Sequence, residues 1–188
     1  MTRPRAWSLL LLMASAAPAV EVNLNAMLGA KLLDHDEWDP VDAQGLLAVQ
    51  MDITPDGWPL AIAVNMLGSN DYDRRSVAGA GTVETYGGVT ELQAGVAGLL
   101  ELPARTTFYA GAGGSFASAV QATSTRESER EDWGWGVGTW AHAGVFWTFG
   151  SFNLGAGGGW SWVPMEVDDR RIDAGGWRFG LLLGANLR

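Results

Sequence analysis

Trp177-Arg178-Phe179-Gly180-Leu181-Leu182-Leu183-Gly184-Ala185-Asn186-Leu187-Arg188 is the stretch that decides how the rest of the chain is read. Trp177, Phe179, Leu181, Leu183, Ala185 and Leu187 share one parity, and Arg178, Gly180, Gly184, Asn186 and Arg188 share the other. Only Leu182 departs from this division. Side chains of a strand alternate between two faces, so a single Arg among apolar neighbours marks opposite faces of a sheet. The segment predicts a strand with one apolar wall and one wall of Gly and isolated polar groups.

The same pattern recurs upstream, with strands expected at Val22–Leu33, Gly45–Thr54, Pro59–Leu67, Gly88–Leu100, Thr106–Ala117, Trp133–Phe149 and Phe152–Trp162. In the second, Leu47, Val49, Met51 and Ile53 oppose Ala48, Gln50 and Asp52, and Pro55-Asp56-Gly57 then supplies a turn whose Pro presets φ and whose Gly tolerates positive φ. In the fourth, Leu92, Ala94, Val96 and Leu100 oppose Glu91, Gln93 and Gly95. Connections alternate in length. Those after the second, fourth and sixth strands are tight, whereas Asp34–Ala43, Gly68–Gly87, Ser118–Asp132 and Val163–Gly175 are long and polar. Eight antiparallel strands with short turns on one side and long loops on the other describe an up-and-down β-barrel of the kind that crosses an outer membrane.

The polar parity settles which wall meets lipid. Around a soluble barrel it would be solvated and rich in Lys, Glu and Thr, but here it is mostly Gly, Asn, Gln and Ser with single charges. Small residues suit the interior of an eight-stranded barrel, which is just wide enough for side chains to fill it. Trp135 and Trp147 lie on the apolar face of the sixth strand, separated by roughly 30 Å along a barrel axis tilted from the strands by ~40°. Phe149, Phe152, Trp160, Trp162 and Trp177 extend the set, and two interfacial aromatic girdles bracketing an apolar band are expected.

Residues 1–19 read as a secretory signal: Arg3 and Arg5 precede an apolar core from Trp7 to Ala14 and an Ala17-Pro18-Ala19 cleavage pattern. The barrel is then expected over residues 20–188. Removing the signal takes away two Arg and no acid, moving the formal charge from -9 to -11. Nucleic acid is excluded as a partner because phosphate neutralisation needs a basic patch. The absence of Cys excludes disulfides and thiolate metal sites.

Lys31, Asp52, Glu91 and Arg178 all fall on the polar parity, two of each sign, and buried charges are costly unless paired. A lumenal ion-pair network is expected, with a proton or ion path as the sharper alternative. Gln50, Gln93 and His142 are expected beside it as lumenal polar groups, His142 hydrogen-bonded rather than catalytic.

In architecture the chain resembles the small eight-stranded outer-membrane β-barrel proteins, the class of the OmpA transmembrane domain and OmpX. The resemblance covers about Val22 to Arg188 and implies a monomer in contact with outer-membrane lipids and lipopolysaccharide. It also implies insertion by the barrel-assembly machinery, which reads a last strand that in this class often ends in an aromatic residue and here ends in Arg188.

Catalysis has one candidate. His35 stands within Asp34-His35-Asp36-Glu37 of the first loop, and Ser69, Asp71 and Ser76 stand in the second. A lipid A palmitoyltransferase looks superficially similar in opposing a first-loop His to second-loop Asp and Ser. Asp34, Asp36, Glu37, Asp39 and Asp42 could draw a divalent cation but lack the spacing of a calcium loop, and solvated acid is the default. The expected function is non-catalytic, without cofactor or resident metal, in envelope structure or surface interaction. An outer-membrane lipid A acyl-modifying enzyme and a soluble lipocalin-like binding barrel are the alternatives.

Overall fold

The computed structural model describes residues 20–77, 81–126 and 128–187, so the signal segment read at 1–19 and the terminal Arg188 lie outside the described residues. Strands β1 (Val20–Leu32), β2 (Ala43–Pro55), β3 (Ala61–Val77), β4 (Gly81–Leu102), β5 (Thr106–Ser124), β6 (Glu129–Phe149), β7 (Phe152–Trp162) and β10 (Gly176–Leu187) form an antiparallel ring. Each pairs with the next, β10 pairs with both β7 and β1, and the β5–β6 pairing completes the circle. Two short strands, β8 (Pro164–Val167) and β9 (Arg170–Asp173), form a hairpin joined to β6 through Gly136 and Met165.

The register fixes the shape of the ring. Starting at Val22, the paired residues run Ile53, Ile62, Val96, Ala112, Ala141, Trp160, Trp177 and back to β1 at Leu32. One circuit therefore climbs from position 22 to position 32, a shear of ten residues over eight strands. With ~3.3 Å per residue and ~4.8 Å between strands, that shear tilts the strands by roughly 40°. Every residue on this circuit belongs to the apolar parity.

The exterior carries Leu28, Leu47, Met66, Leu92, Val96, Leu181 and Leu183, all more than half exposed. The interior carries Asn23, Asn25, Lys31, Gln50, Asp52, Asn65, Glu91, Gln93, His142, Asn153 and Arg178, all buried. A soluble barrel with its apolar wall inward is thereby ruled out: the oily residues cover the outside. The interior is not purely polar, however. Met27, Leu46, Ala48, Leu67, Tyr109, Phe146 and Leu182 form an apolar cluster within it, and Leu182, the residue that departs from the parity of the last strand, is fully buried there. A filled eight-stranded lumen needs bulk, and methylene groups supply it without requiring hydrogen-bond partners.

The long loops are the larger correction. About nine to eleven tilted residues cross the hydrocarbon layer, and β7 and β10, with 11 and 12 residues, meet that length. Strands β3, β4, β5 and β6 have 17, 22, 19 and 21 residues. Most of the expected loops Gly68–Gly87 and Ser118–Asp132 is therefore ladder that continues beyond the membrane, and Val163–Gly175 holds the β8–β9 hairpin. Polar side chains on both faces hid this continuation, because a strand outside the bilayer needs no apolar wall. Glycine has a particular use in the ring: a Cβ at Gly95 or Gly113 would run into the carbonyl oxygen of Ala112 or Ala94 on the facing strand, so close approach of β4 and β5 depends on both.

Candidate functional site

The lumen is organised around Glu91. Its carboxylate pairs with the Lys31 ammonium and accepts from Gln93 Nε2 at 2.8 Å, Ser115 Oγ at 3.0 Å and Ser161 Oγ at 3.1 Å. Those donors come from β1, β4, β5 and β7 and converge because a shear of ten brings these positions to one height. Lys31 Nζ also donates to the Ala174 carbonyl at 2.7 Å. Arg178 Nη2 donates to Gln93 Oε1 at 2.9 Å, which joins β10 to the same group. Of the four charges read from parity, Lys31 and Glu91 form an ion pair and Arg178 joins through Gln93.

Asp52 stands apart. It is buried, pairs in register with Asn23 and Ala63 nearer the short-turn end, and is in no ion pair among the described residues. Its separation follows from the shear: Asp52 aligns laterally with the start of β1 rather than with Lys31. Gln50 is buried as expected. His142 is enclosed by rings, with Tyr109 edge-on at 5.1 Å and Trp140 at 4.7 Å between centroids, and neither ring nitrogen has a protein hydrogen-bond partner. The expectation of a hydrogen-bonded His142 thus gives way to aromatic packing. At the short-turn end Asn153 Nδ2 donates to Asn25 Oδ1 at 3.2 Å and Asn23 Oδ1 at 3.4 Å. A cavity of about 680 Å³ opens there, bordered by Asn23, Thr107 and Phe146.

The opposite end is sealed by a cap that parity alone does not reveal. A one-turn helix, His35–Trp38, lies against the β8–β9 hairpin, and Leu33, Trp38, Val41, Val89, Val163, Met165, Val167 and Ile172 form a separate apolar core. Trp38 Nε1 donates to the Asp173 carbonyl at 2.9 Å, and Glu37 Oε2 accepts from the Asp173 amide at 2.6 Å. Asp173 Oδ1 in turn accepts from the amides of Val163 at 2.7 Å and Gly175 at 2.8 Å. Arg130 reaches Asp168 and Arg75 reaches Asp39, so exposed ion pairs pin the hairpin and the first loop to the projecting strands. Met, Val and Ile separated by Asp and Arg in 163–173 were the available signal for this small core. Trp38→Phe strips one donor from it and is expected to cost about 1–2 kcal/mol, read as faster amide exchange confined to β8 and β9.

Two of the catalytic candidates, His35 and Ser69, engage other partners. Ser69 is buried and donates to Gln44 Oε1 at 2.6 Å, whereas His35 is exposed and binds Asp42 through Nδ1 at 3.1 Å. His35, Asp39 and Asp42 bring one ligand atom each within 4.8 Å of one another, and Arg75 already engages Asp39. The hydrogen bond that the His35 imidazolium donates to the Asp42 carboxylate raises the His35 pKa above its ordinary 6.5. The stabilisation from this contact is present below pH 6.5 and fades as pH rises through the raised value. An NMR titration should place the His35 midpoint above 6.5, and Asp42→Asn should lower it.

The aromatics of the expected girdles all project outward: Trp135, Trp147, Phe149, Phe152, Trp160, Trp162 and Trp177 are each at least one-third exposed. By register, Trp147, Phe149 and Phe152 cluster at the short-turn end, while Trp160 pairs with Trp177 toward the cap.

No protein-family model matches the sequence, and no curated protein aligns with it. Solved structures do. Ail, the attachment invasion locus protein of Yersinia pestis, in complex with the heparin analogue sucrose octasulfate, superposes with a TM-score of 0.59 at 13% identity, over 89% of this chain and 99% of that one. Neisserial surface protein A gives 0.54 at 14% identity, over 89% and 94%. A major outer membrane protein from Thermus thermophilus gives 0.55 at 14% identity, over 89% and 98%. The chain has the fold of the small eight-stranded outer-membrane β-barrels.

Proposed function

We propose that this chain is a monomeric, non-catalytic barrel of the Gram-negative outer membrane that serves envelope structure or surface interaction through its capped outer end. One observation carries the reading: the lumen is filled around Glu91 and closed above by a folded cap with its own apolar core. Such a barrel offers no aqueous path, and its ordered outer surface is what remains available to a partner. Outer-membrane lipids and lipopolysaccharide surround the apolar wall in this reading, with the aromatic girdles at the interfaces. The barrel-assembly machinery would insert it. The Ail structure with a bound heparin analogue is a precedent for ligand binding on this fold.

The test combines three measurements. Fractionation should place the protein in the outer membrane with a gel mobility that changes on boiling, and planar bilayers containing it should show no discrete openings. His35→Ala should leave lipid A acylation unchanged. Steady conductance, or an acylation product lost with His35, would replace this reading with a channel or an enzyme.

A further inference from the structure

Along β3 to β6 the outer wall changes character from rung to rung. Met66, Leu92, Phe116 and Val137 pair in succession and form a wholly apolar rung. The next one outward is Gly68, Thr90, Ser118 and Trp135, and the one after it Asn70, Gly88, Val120 and Trp133. Hydroxyl and amide groups on these two rungs mark where hydrocarbon ends. Trp133 stands fourteen residues from Trp147, roughly 35 Å along the axis at ~2.5 Å of rise per tilted residue, against an apolar band of about 25 Å. Aromatic rings therefore continue about 10 Å past the lipid tails.

Beyond that boundary the rings are laid down and held. A Cβ at Gly88 would meet Oη, Cε1 and Cζ of Tyr86 at 2.9 to 3.3 Å, so the Tyr86 ring lies across bare backbone. Trp133 Nε1 donates to Glu131 Oε1 at 2.7 Å, and Trp135 packs on Phe116 with 6.3 Å between ring centroids. Val120 is on the outer parity yet only 9% exposed, in register between Gly88 and Trp133, while Trp133 itself is 64% exposed. The result is an aromatic platform bordered by Glu131, Thr90 and Ser118, with no Lys or Arg on its rungs. Arg74, on a rung further out, is engaged by Glu84 at 3.4 Å.

We infer that this platform stacks the sugar rings of lipopolysaccharide. The inference rests on the outer-membrane reading above and gives it a contact surface. Three observations select a saccharide. The height of the platform sets it beside the glycolipid headgroups, not among their acyl chains. Ring faces bordered by hydroxyl and carboxylate groups suit a pyranose, whose C–H face packs on an aromatic ring while its hydroxyls take hydrogen-bond partners at the edge. Finally, lipid phosphates call for Arg or Lys, and these rungs carry neither.

The experiment is saturation-transfer NMR of the full chain in phosphatidylcholine nanodiscs, irradiated at the aromatic protons. The probe is core oligosaccharide freed from lipid A by mild acid, so acyl chains play no part. Sugar protons should receive saturation from the wild type. Tyr86→Leu with Trp133→Leu keeps apolar bulk but removes both ring faces, and should raise the dissociation constant at least about fivefold, the scale of losing two aromatic contacts. Trp147→Leu, at the opposite girdle, should leave transfer unchanged, as should 0.5 M NaCl or enzymatic removal of phosphate from the probe. Heat-modifiable mobility verifies folding, and Trp133→Phe, which keeps a ring and should keep most of the transfer, carries the test if the double variant does not fold. Absent transfer, transfer lost with phosphate or salt, or a two-copy complex in sugar-free nanodiscs that Trp133→Leu dissociates would each overturn the assignment. Because the bilayer is chosen and the protein purified, these outcomes bear on the platform alone, whereas fractionation bears on the outer-membrane reading.

Discussion

Glu91→Gln should lower the stability of the barrel by about 3–5 kcal/mol, measured as an earlier urea midpoint in phospholipid vesicles by tryptophan fluorescence. The substitution preserves shape and removes one charge, leaving the Lys31 ammonium buried without its counter-charge, although it still donates to the Ala174 carbonyl. It also places an amide where Gln93, Ser115 and Ser161 all donate, so at least one donor loses its acceptor. Replacing both partners should behave differently. Lys31→Met with Glu91→Leu removes two charges together, and buried pairs exchanged for apolar side chains are often neutral or stabilising by about 1–4 kcal/mol. A double variant as unstable as the single one would show that shape, not charge compensation, governs this layer.

Leu181→Arg tests the outer wall. Leu181 is 70% exposed and sits in register between Leu28 and Ala156, near the middle of the apolar band. A guanidinium at the midplane of a transmembrane barrel costs about 2–4 kcal/mol, because no water solvates it there. On a wall facing water the same change would fall within roughly ±0.5 kcal/mol. The expected result is a loss of more than about 2 kcal/mol in vesicles and depleted protein in the outer membrane. An unchanged midpoint would mean that this wall does not face hydrocarbon.

The two experiments probe opposite faces of one alternation. Lipid outside makes each exterior charge expensive, and burial inside makes the Lys31 and Glu91 charges depend on each other. The Lys31–Glu91 pair holds together positions separated by 60 residues, so its strength depends on the whole ring closing in one register. The cap is a separate unit. Its core of Trp38, Val41, Met165, Val167 and Ile172 lies outside the apolar band, which is why loosening it at Trp38 should be felt in the hairpin rather than in the barrel.

The amino-acid sequence by itself determined the strands, their faces and the direction of the apolar wall, because side-chain parity is a local property that eight short segments each display. Lys31, Asp52, Glu91 and Arg178 were legible as interior charges for the same reason. Tertiary structure alone decided which of them meet: the ten-residue shear lifts Glu91 to Lys31 and leaves Asp52 lower, and shear is a sum over all eight pairings that no single strand encodes. It also decided that the lumen needs Leu182 and Met27 as filler, that the polar stretches after β3 and β5 continue as ladder, and that Trp38 and the β8–β9 hairpin close the mouth. The filled lumen and the cap rest on contacts between residues more than a hundred positions apart, such as Trp38 with Asp173, where the free energy lies in packing and not in pattern.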